Sequence, residues 1–422
     1  MAWDRPHDLR CKRHERQIPD LQSLRDRVRG AMTPGAGAHK TEIVLVGGGH
    51  AHLYVLRDFA LAPPAGVRLT LVSRERAATY SGMLPGVIAG LYRREEAQID
   101  LGCLAAAADA RLIEGEAVGL DRVGKRVVLA GAPAVAYDIV SLDVGLAPAL
   151  DAIEGAAAHG IAAKPIGTLI ERLDGLWEAC RRGEGQRRIA VVGGGAGGVE
   201  LMLSLRARLL AETGPEMAKD FSFTLIAGDG LLPTHHRRVG TIFRRIFRAR
   251  GIHLVEHRRA LQLTGDAVLL DDGTLLGADA VVIATGGAAP GWFGGTGLAR
   301  DAKGFLAVLP TLQVMNDPDV FAAGDCAALI ETPREKAGVY AVRAGAPLAR
   351  NLRARARGEA PAPWRPQSGH LALISTGQRH AVASRGPVVI EGAWVWRMKD
   401  WIDRRWVRRF QALQRPAAPR AL

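Results

Sequence analysis

Glu42-Ile43-Val44-Leu45-Val46-Gly47-Gly48-Gly49-His50-Ala51-His52-Leu53 is the stretch that decides the fold. Its apolar, β-branched run from Ile43 to Val46 predicts a strand buried on both faces. Three glycines break the run, and a helix is expected to begin after them. Such a turn brings backbone close to a pyrophosphate, whose charge the free N–H groups at the helix start can receive. Gly47 and Gly49 fill the first two places of G-x-G-x-x-G. His52 stands in the third, so the fingerprint is incomplete, and a plain strand-to-helix turn would look much the same.

The chain then repeats the device. Arg188 to Val192 is a second apolar strand, and Gly193, Gly195 and Gly198 complete the glycine pattern before a leucine-rich helix. Each copy continues with a second strand, Val67 to Ser73 and Phe221 to Ile226. Short strands follow in each, over 111–129 and 252–270, with Asp272-Gly273 as a hairpin turn signal. Each copy ends in a return strand, Tyr137 to Gly145 and Ala278 to Gly286. Gly47 and Gly145 are 98 residues apart, and Gly193 and Gly286 are 93 apart. A unit that recurs in this order predicts two dinucleotide-binding domains. In such a unit an acid at the end of the second strand takes the ribose hydroxyls. Here Ser73 occupies that place in the first copy, with Glu75 two residues on. Ala227 occupies it in the second, with Arg237 and Arg238 nearby, which keeps NADPH open beside NADH.

A third element, Asp319 to Asp325, is a strand ending in Gly324-Asp325 at a helix start. It reads either as a helix cap or as a ligand contact, a phosphate at the helix terminus and a hydroxyl on the carboxylate. Tyr80 to Gly86 is a turn-rich loop of low charge, suited to lie under something flat and apolar. Lys336 to Arg343 opens another helix. In the tail, Trp394, Met398, Trp401, Ile402 and Phe410 fall near one helical face, with Arg397, Lys399, Arg404 and Arg408 mainly elsewhere. That composition suits a helix in a membrane interface, or one packed on the protein's own core.

The composition excludes several classes. A 48% hydrophobic, 23% charged chain of 422 residues is globular and long enough for two or three cores. It has no run that would span a membrane and no secretory signal at its start. Its four cysteines show neither metal spacing nor a disulfide framework, so no metal is expected and a cytoplasmic setting is. The net charge of +13, much of it at the two ends, reads either as that of an arginine-rich soluble protein or as attraction to an anionic surface, membrane or nucleic acid. The basic tail shows no recognisable nucleic-acid-binding fold, so no nucleic-acid partner is expected.

The two glycine turns, Glu200, Ala284-Thr285-Gly286 and Phe321 to Asp325 together resemble the two-dinucleotide-binding-domain flavoproteins of the pyridine nucleotide-disulfide oxidoreductase superfamily. Within them the chain is similar to type II NADH dehydrogenases and, more distantly, to sulfide:quinone oxidoreductases. Val46 to His52, Tyr80 to Gly86 and Ala393 to Arg397 resemble in particular the group found alone or fused to selenide, water dikinase. The resemblance covers roughly Glu42 to Phe410.

The resemblance implies an α/β fold with two Rossmann-like, glutathione reductase-like domains. The FAD-binding domain would take 41–150 and 287–350, and the NAD(P)-binding domain 151–286. A C-terminal α+β segment with an amphipathic helix would take 351–422, and residues 1–40 read as a poorly ordered extension. It places Gly47, Gly49 and Gly324 at the FAD phosphates, with His50, Ala51, Ser73 and Pro85 around the same cofactor, and Asp325 on the ribitol. Gly193, Gly195 and Gly198 would face the NAD(P)H pyrophosphate, with Glu200 near the nicotinamide. Lys336 and Tyr340 would approach the flavin ring. Val339 and Arg343 stand where the dehydrogenases carry glutamines beside the quinone, and the dithiol of the disulfide reductases is missing. The implied activity is FAD-dependent NAD(P)H dehydrogenation with a small-molecule acceptor, a quinone, at the inner face of the cell membrane. A sulfur- or selenium-compound reductase and a non-catalytic redox sensor are the alternatives, and a homodimer is one arrangement left open.

Overall fold

The computed structural model describes residues 40–184 and 187–413; the extension expected before Lys40 lies outside them. β1 (Thr41–Val46), β2 (Val67–Ser73), β3 (Ala110–Glu114) and β4 (Ile139–Leu142) run parallel in the order β4-β1-β2-β3. The period of two sorts β1 cleanly. Ile43 and Leu45 join one apolar cluster, and Val44 and Val46 join another on the opposite face. The predicted helix, α1 (His50–Leu61), starts directly after the glycines and buries Leu53, Val55, Leu56 and Phe59.

The second copy reproduces this arrangement. β5 (Gly160–Ala162) precedes β6 (Arg188–Val192), β7 (Ser222–Ala227), β8 (Ile252–Glu256) and β9 (Ala280–Ile283). All pairings are parallel and the order is β5-β9-β6-β7-β8, so β9-β6-β7-β8 matches β4-β1-β2-β3 strand for strand. Each copy inserts a three-stranded antiparallel meander before its return strand, at 117–136 and 260–277. Gly273, at φ +83°, makes the hairpin turn expected from Asp272-Gly273. α2 (Ala196–Met217) follows the second glycine turn and bends at Gly214.

The chain then returns to the first sheet. β10 (Leu306–Val308), β11 (Gln313–Val314), β12 (Asp317–Ala322) and β13 (Ala327–Leu329) complete eight strands, with β12 parallel to β4. α3 (Gly338–Ala356) packs along α1. β14 (Ala372–Ser375), β15 (Ala381–Arg385) and β16 (Val388–Gly392) form an antiparallel sheet.

The last helix, α4 (Ala393–Gln411), does not expose the face drawn from its sequence. It buries Val395, Lys399, Asp403, Trp406, Val407 and Phe410, while Trp394 and Trp401 are 50% and 60% exposed. Trp406 stacks on Tyr80 at 4.2 Å and donates to the Tyr54 hydroxyl at 3.1 Å. The charged positions misled the periodicity. Lys399 and Asp403, one turn apart, pair at 2.5 Å, and Lys399 also donates to the Gly82 carbonyl at 2.6 Å, so both are carried inward satisfied.

Candidate active site

At the first glycine turn β4 ends against β1 so closely that no side chain fits. A Cβ on Gly47, whose φ is +96°, would lie 2.3 Å from the Asp143 carbonyl oxygen. One on Gly49 would lie 2.1 Å from the Asp143 carboxyl. His52 solves the third position differently. Its ring is fully buried, with Nδ1 2.7 Å from the Gly47 carbonyl and Nε2 2.9 Å from Ser141 Oγ. A carbonyl can only accept, so Nδ1 carries the hydrogen and Nε2 accepts from the hydroxyl. Burial holds this imidazole neutral, with its pKa lowered to about 4. His52 is therefore a strut of the turn.

His50 faces the other way, into a cavity of about 740 Å³. Gly47, Gly49, Ser73, Asp325 and Lys336 line it with His50. Glu75, named as the nearest acid to Ser73, lines it too, and burial pushes its carboxyl up. Asp143, Lys164 and Trp292 are among the lining residues not found from sequence. Asp143 comes from the end of β4; Lys164 follows β5 and donates to Asp325 at 3.0 Å; Trp292 comes from the segment after β9. Lys336 donates to the Ala327 carbonyl at 2.5 Å and lies 4.0 Å from the Phe305 ring centre, and burial lowers its pKa.

The remaining expected residues stand elsewhere. Ala51 contributes its N–H to Asp143 at 2.8 Å. Pro85 is buried inside the short helix Leu84–Ile88 and does not line the cavity. Gly324, at φ +69°, and Tyr340 line a smaller neighbouring cavity that Lys336 also borders. Arg343 is exposed on α3 and lines neither. Glu200 is enclosed, its carboxylate accepting from the Ser375 N–H at 2.7 Å. Burial raises its pKa, and the Lys399 charge opposes the rise.

At the second turn a Cβ on Gly193 would meet the Ala284 carbonyl oxygen at 2.5 Å, and one on Gly198 would meet that of Gly193 at 2.0 Å. Nothing lies within 4 Å of where a Gly195 Cβ would stand. That leaves open space over the start of α2, the place a pyrophosphate takes. Two glycine turns, each closing a strand-to-helix connection against the return strand of its own sheet, are the arrangement of paired dinucleotide-binding units.

Residues 41–345 match the pyridine nucleotide-disulphide oxidoreductase family, and the chain belongs to it. It is an oxidoreductase whose cofactors are those of the family, FAD and NAD(P)H. The NADH dehydrogenase-like protein YutJ of Bacillus subtilis is 22% identical over 304 residues, 69% of this chain and 78% of that protein. The sulfide:quinone oxidoreductase of Aquifex aeolicus superposes with a TM-score of 0.73 at 17% identity, over 88% of this chain and 92% of its own. NDH2 of Plasmodium falciparum superposes at 0.71 and 15% identity, over 87% and 98%.

Proposed function

We propose that the chain is a FAD-dependent NAD(P)H dehydrogenase that passes electrons to a quinone-like acceptor. The observation that carries this reading is the paired glycine cradles, one opening on the 740 Å³ cavity and one over α2. We assign FAD to the unit built on the eight-stranded sheet and NAD(P)H to the unit built on the five-stranded sheet. FAD supplies the two-electron chemistry, and the protein aligns it. Asp325, fixed by Lys164, is placed to take cofactor hydroxyls. Lys336 brings a cation whose proton burial has loosened, suited to an anionic reduced cofactor. Under α4, the Trp406 ring packs on His50, with ring centres 5.4 Å apart, and stacks on Tyr80.

No helix among the described residues is long and apolar enough to cross a membrane. Contact with one would be peripheral. Trp394, Arg397, Trp401, Arg405 and Arg408 form one exposed stripe of α4, which supports an anionic bilayer as the acceptor's source. Reduction of a sulfur or selenium compound has less support: no cysteine among the described residues lines the cavity, and Cys180 and Cys326 are buried.

Mixing FAD-loaded protein rapidly with NADH or NADPH tests the proposal. The flavin absorbance should bleach with at least one and recover on adding a soluble quinone. Bleaching by neither rejects the dehydrogenase; bleaching without recovery rejects the quinone.

A further inference from the structure

Asp143 is an acid in an unusual place. It is 3% exposed and lies at the N-terminus of α1, where the glycine cradle would receive a pyrophosphate. Its Oδ2 accepts from the N–H groups of Ala51 at 2.8 Å and His52 at 3.3 Å, capping a helix whose own cap residue, Gly49, has no side chain to offer. Its Oδ1 makes no hydrogen bond among the described residues, and the residue lines the cavity. The other buried acid of this region, Asp403, has Lys399 against it at 2.5 Å; no cation bonds Asp143. Of the two ammonium groups that line the cavity, Lys164 is bonded to Asp325 and Lys336 to the Ala327 carbonyl.

A helix terminus carries roughly half a positive charge, which can offset one anion but not two side by side. From this placement we infer that Asp143 is a cofactor-binding residue. It serves the FAD pyrophosphate as a neutral carboxylic acid, Oδ2 capping α1 and the Oδ1 hydroxyl donating to a phosphate oxygen. Binding the dinucleotide to the ionised form therefore takes up one proton from solvent, and no other bond changes.

The surroundings suit that role. Burial pushes the Asp143 carboxyl up to about 7, with the Asp325 charge adding to the rise and the two N–H bonds opposing it. Its titratable neighbours change charge elsewhere. On α1, His50 and His52 are lowered to about 4 by burial. Beside Asp325, the Cys326 thiol is raised to about 12. Glu75, raised, and Lys336, lowered, also line the cavity, and both persist in an Asp143 variant.

The test is FAD release from holoprotein, followed by flavin fluorescence at equilibrium from about pH 6 to about pH 8.5, for wild type and Asp143→Asn. An asparagine keeps the cap acceptor and a donor for the phosphate. Wild-type Kd should rise toward roughly tenfold per pH unit above about pH 7, and the variant's should not. A flat wild-type profile, or the same slope in both proteins, overturns the role of Asp143. Should the variant fail to fold, calorimetry of FAD binding to wild type in two buffers of different ionisation heat replaces it. About half a proton should be taken up near pH 7, and none overturns the inference. The inference rests on FAD occupying this cavity. Absence of FAD binding at every pH rejects that occupancy; tight, pH-independent binding leaves the occupancy standing and overturns the inference about Asp143.

Discussion

The second glycine turn separates stability from cofactor binding by three residues. Gly195 and Gly198 belong to one motif, yet an added methyl meets different things. At Gly198 it would stand 2.0 Å from the Gly193 carbonyl oxygen, a backbone atom of the same turn. The helix must withdraw from the strand, an overpacking cost of roughly 1–3 kcal/mol. At Gly195 it meets nothing within 4 Å, and the backbone sits at φ −72°, which alanine adopts freely. Gly195→Ala should cost no more than about 1 kcal/mol, through a poorer helix cap. The methyl would instead occupy the space over α2 that we assign to the NAD(P)H pyrophosphate. If the same overpacking cost falls on the bound state, affinity weakens about 5- to 150-fold. Denaturant midpoints of the FAD-loaded variants give the first quantity, and the concentration dependence of flavin bleaching by NAD(P)H gives the second. Gly195→Ala should keep the midpoint and lose affinity; Gly198→Ala should lose the midpoint. Wild-type affinity in Gly195→Ala, or equal destabilisation by both, would refute the assignment of this turn.

Three further expectations concern other parts of the molecule. Asp403→Ala strands the Lys399 charge and should destabilise by roughly 3 kcal/mol, while Lys399→Met with Asp403→Leu should fall within about 1 kcal/mol of wild type in the same denaturant titration. A double variant as weak as the single would deny the pair its buried character. His52, lowered from 6.5 to about 4, contributes stability that is present above pH 6.5 and drains away as the pH falls toward 4, on the order of 3 kcal/mol in all. His52→Asn should be less stable at pH 7 but flatter across that window; an unchanged acid limb in urea titrations rules the strut out. Replacing Trp394 and Trp401 by serine should release the protein from anionic vesicles in sedimentation while leaving its melting temperature within a few degrees, because both side chains are exposed. Undiminished sedimentation would put the contact elsewhere.

What was legible in the sequence was local. β-branched runs and glycines at fixed spacing announce strands and turns over ten residues, so both sheets and the recurrence of one unit could be read before any coordinate. Lys164 could not. It meets Asp325 across 161 residues, and nothing in its own neighbourhood marks it. The α4 helix was misread because a charge was assigned to solvent, when Lys399 and Asp403 neutralise each other inside. Asp143 was within reach. Aligning the copies on Gly145 and Gly286 sets Asp143 against Ala284, an acid where the other copy has a methyl. That contrast marks where the two sites differ. In the second copy Gly198 lets α2 close onto the turn through absence of a side chain. In the first, the opening left by a missing third glycine is filled by the His52 ring bonded to Gly47, and the freed helix terminus is capped by Asp143. His52 and Asp143 are therefore one substitution made in two places. Two amides of the first turn of α1, those of Ala51 and His52, bond the carboxyl that follows β4, 92 and 91 residues away.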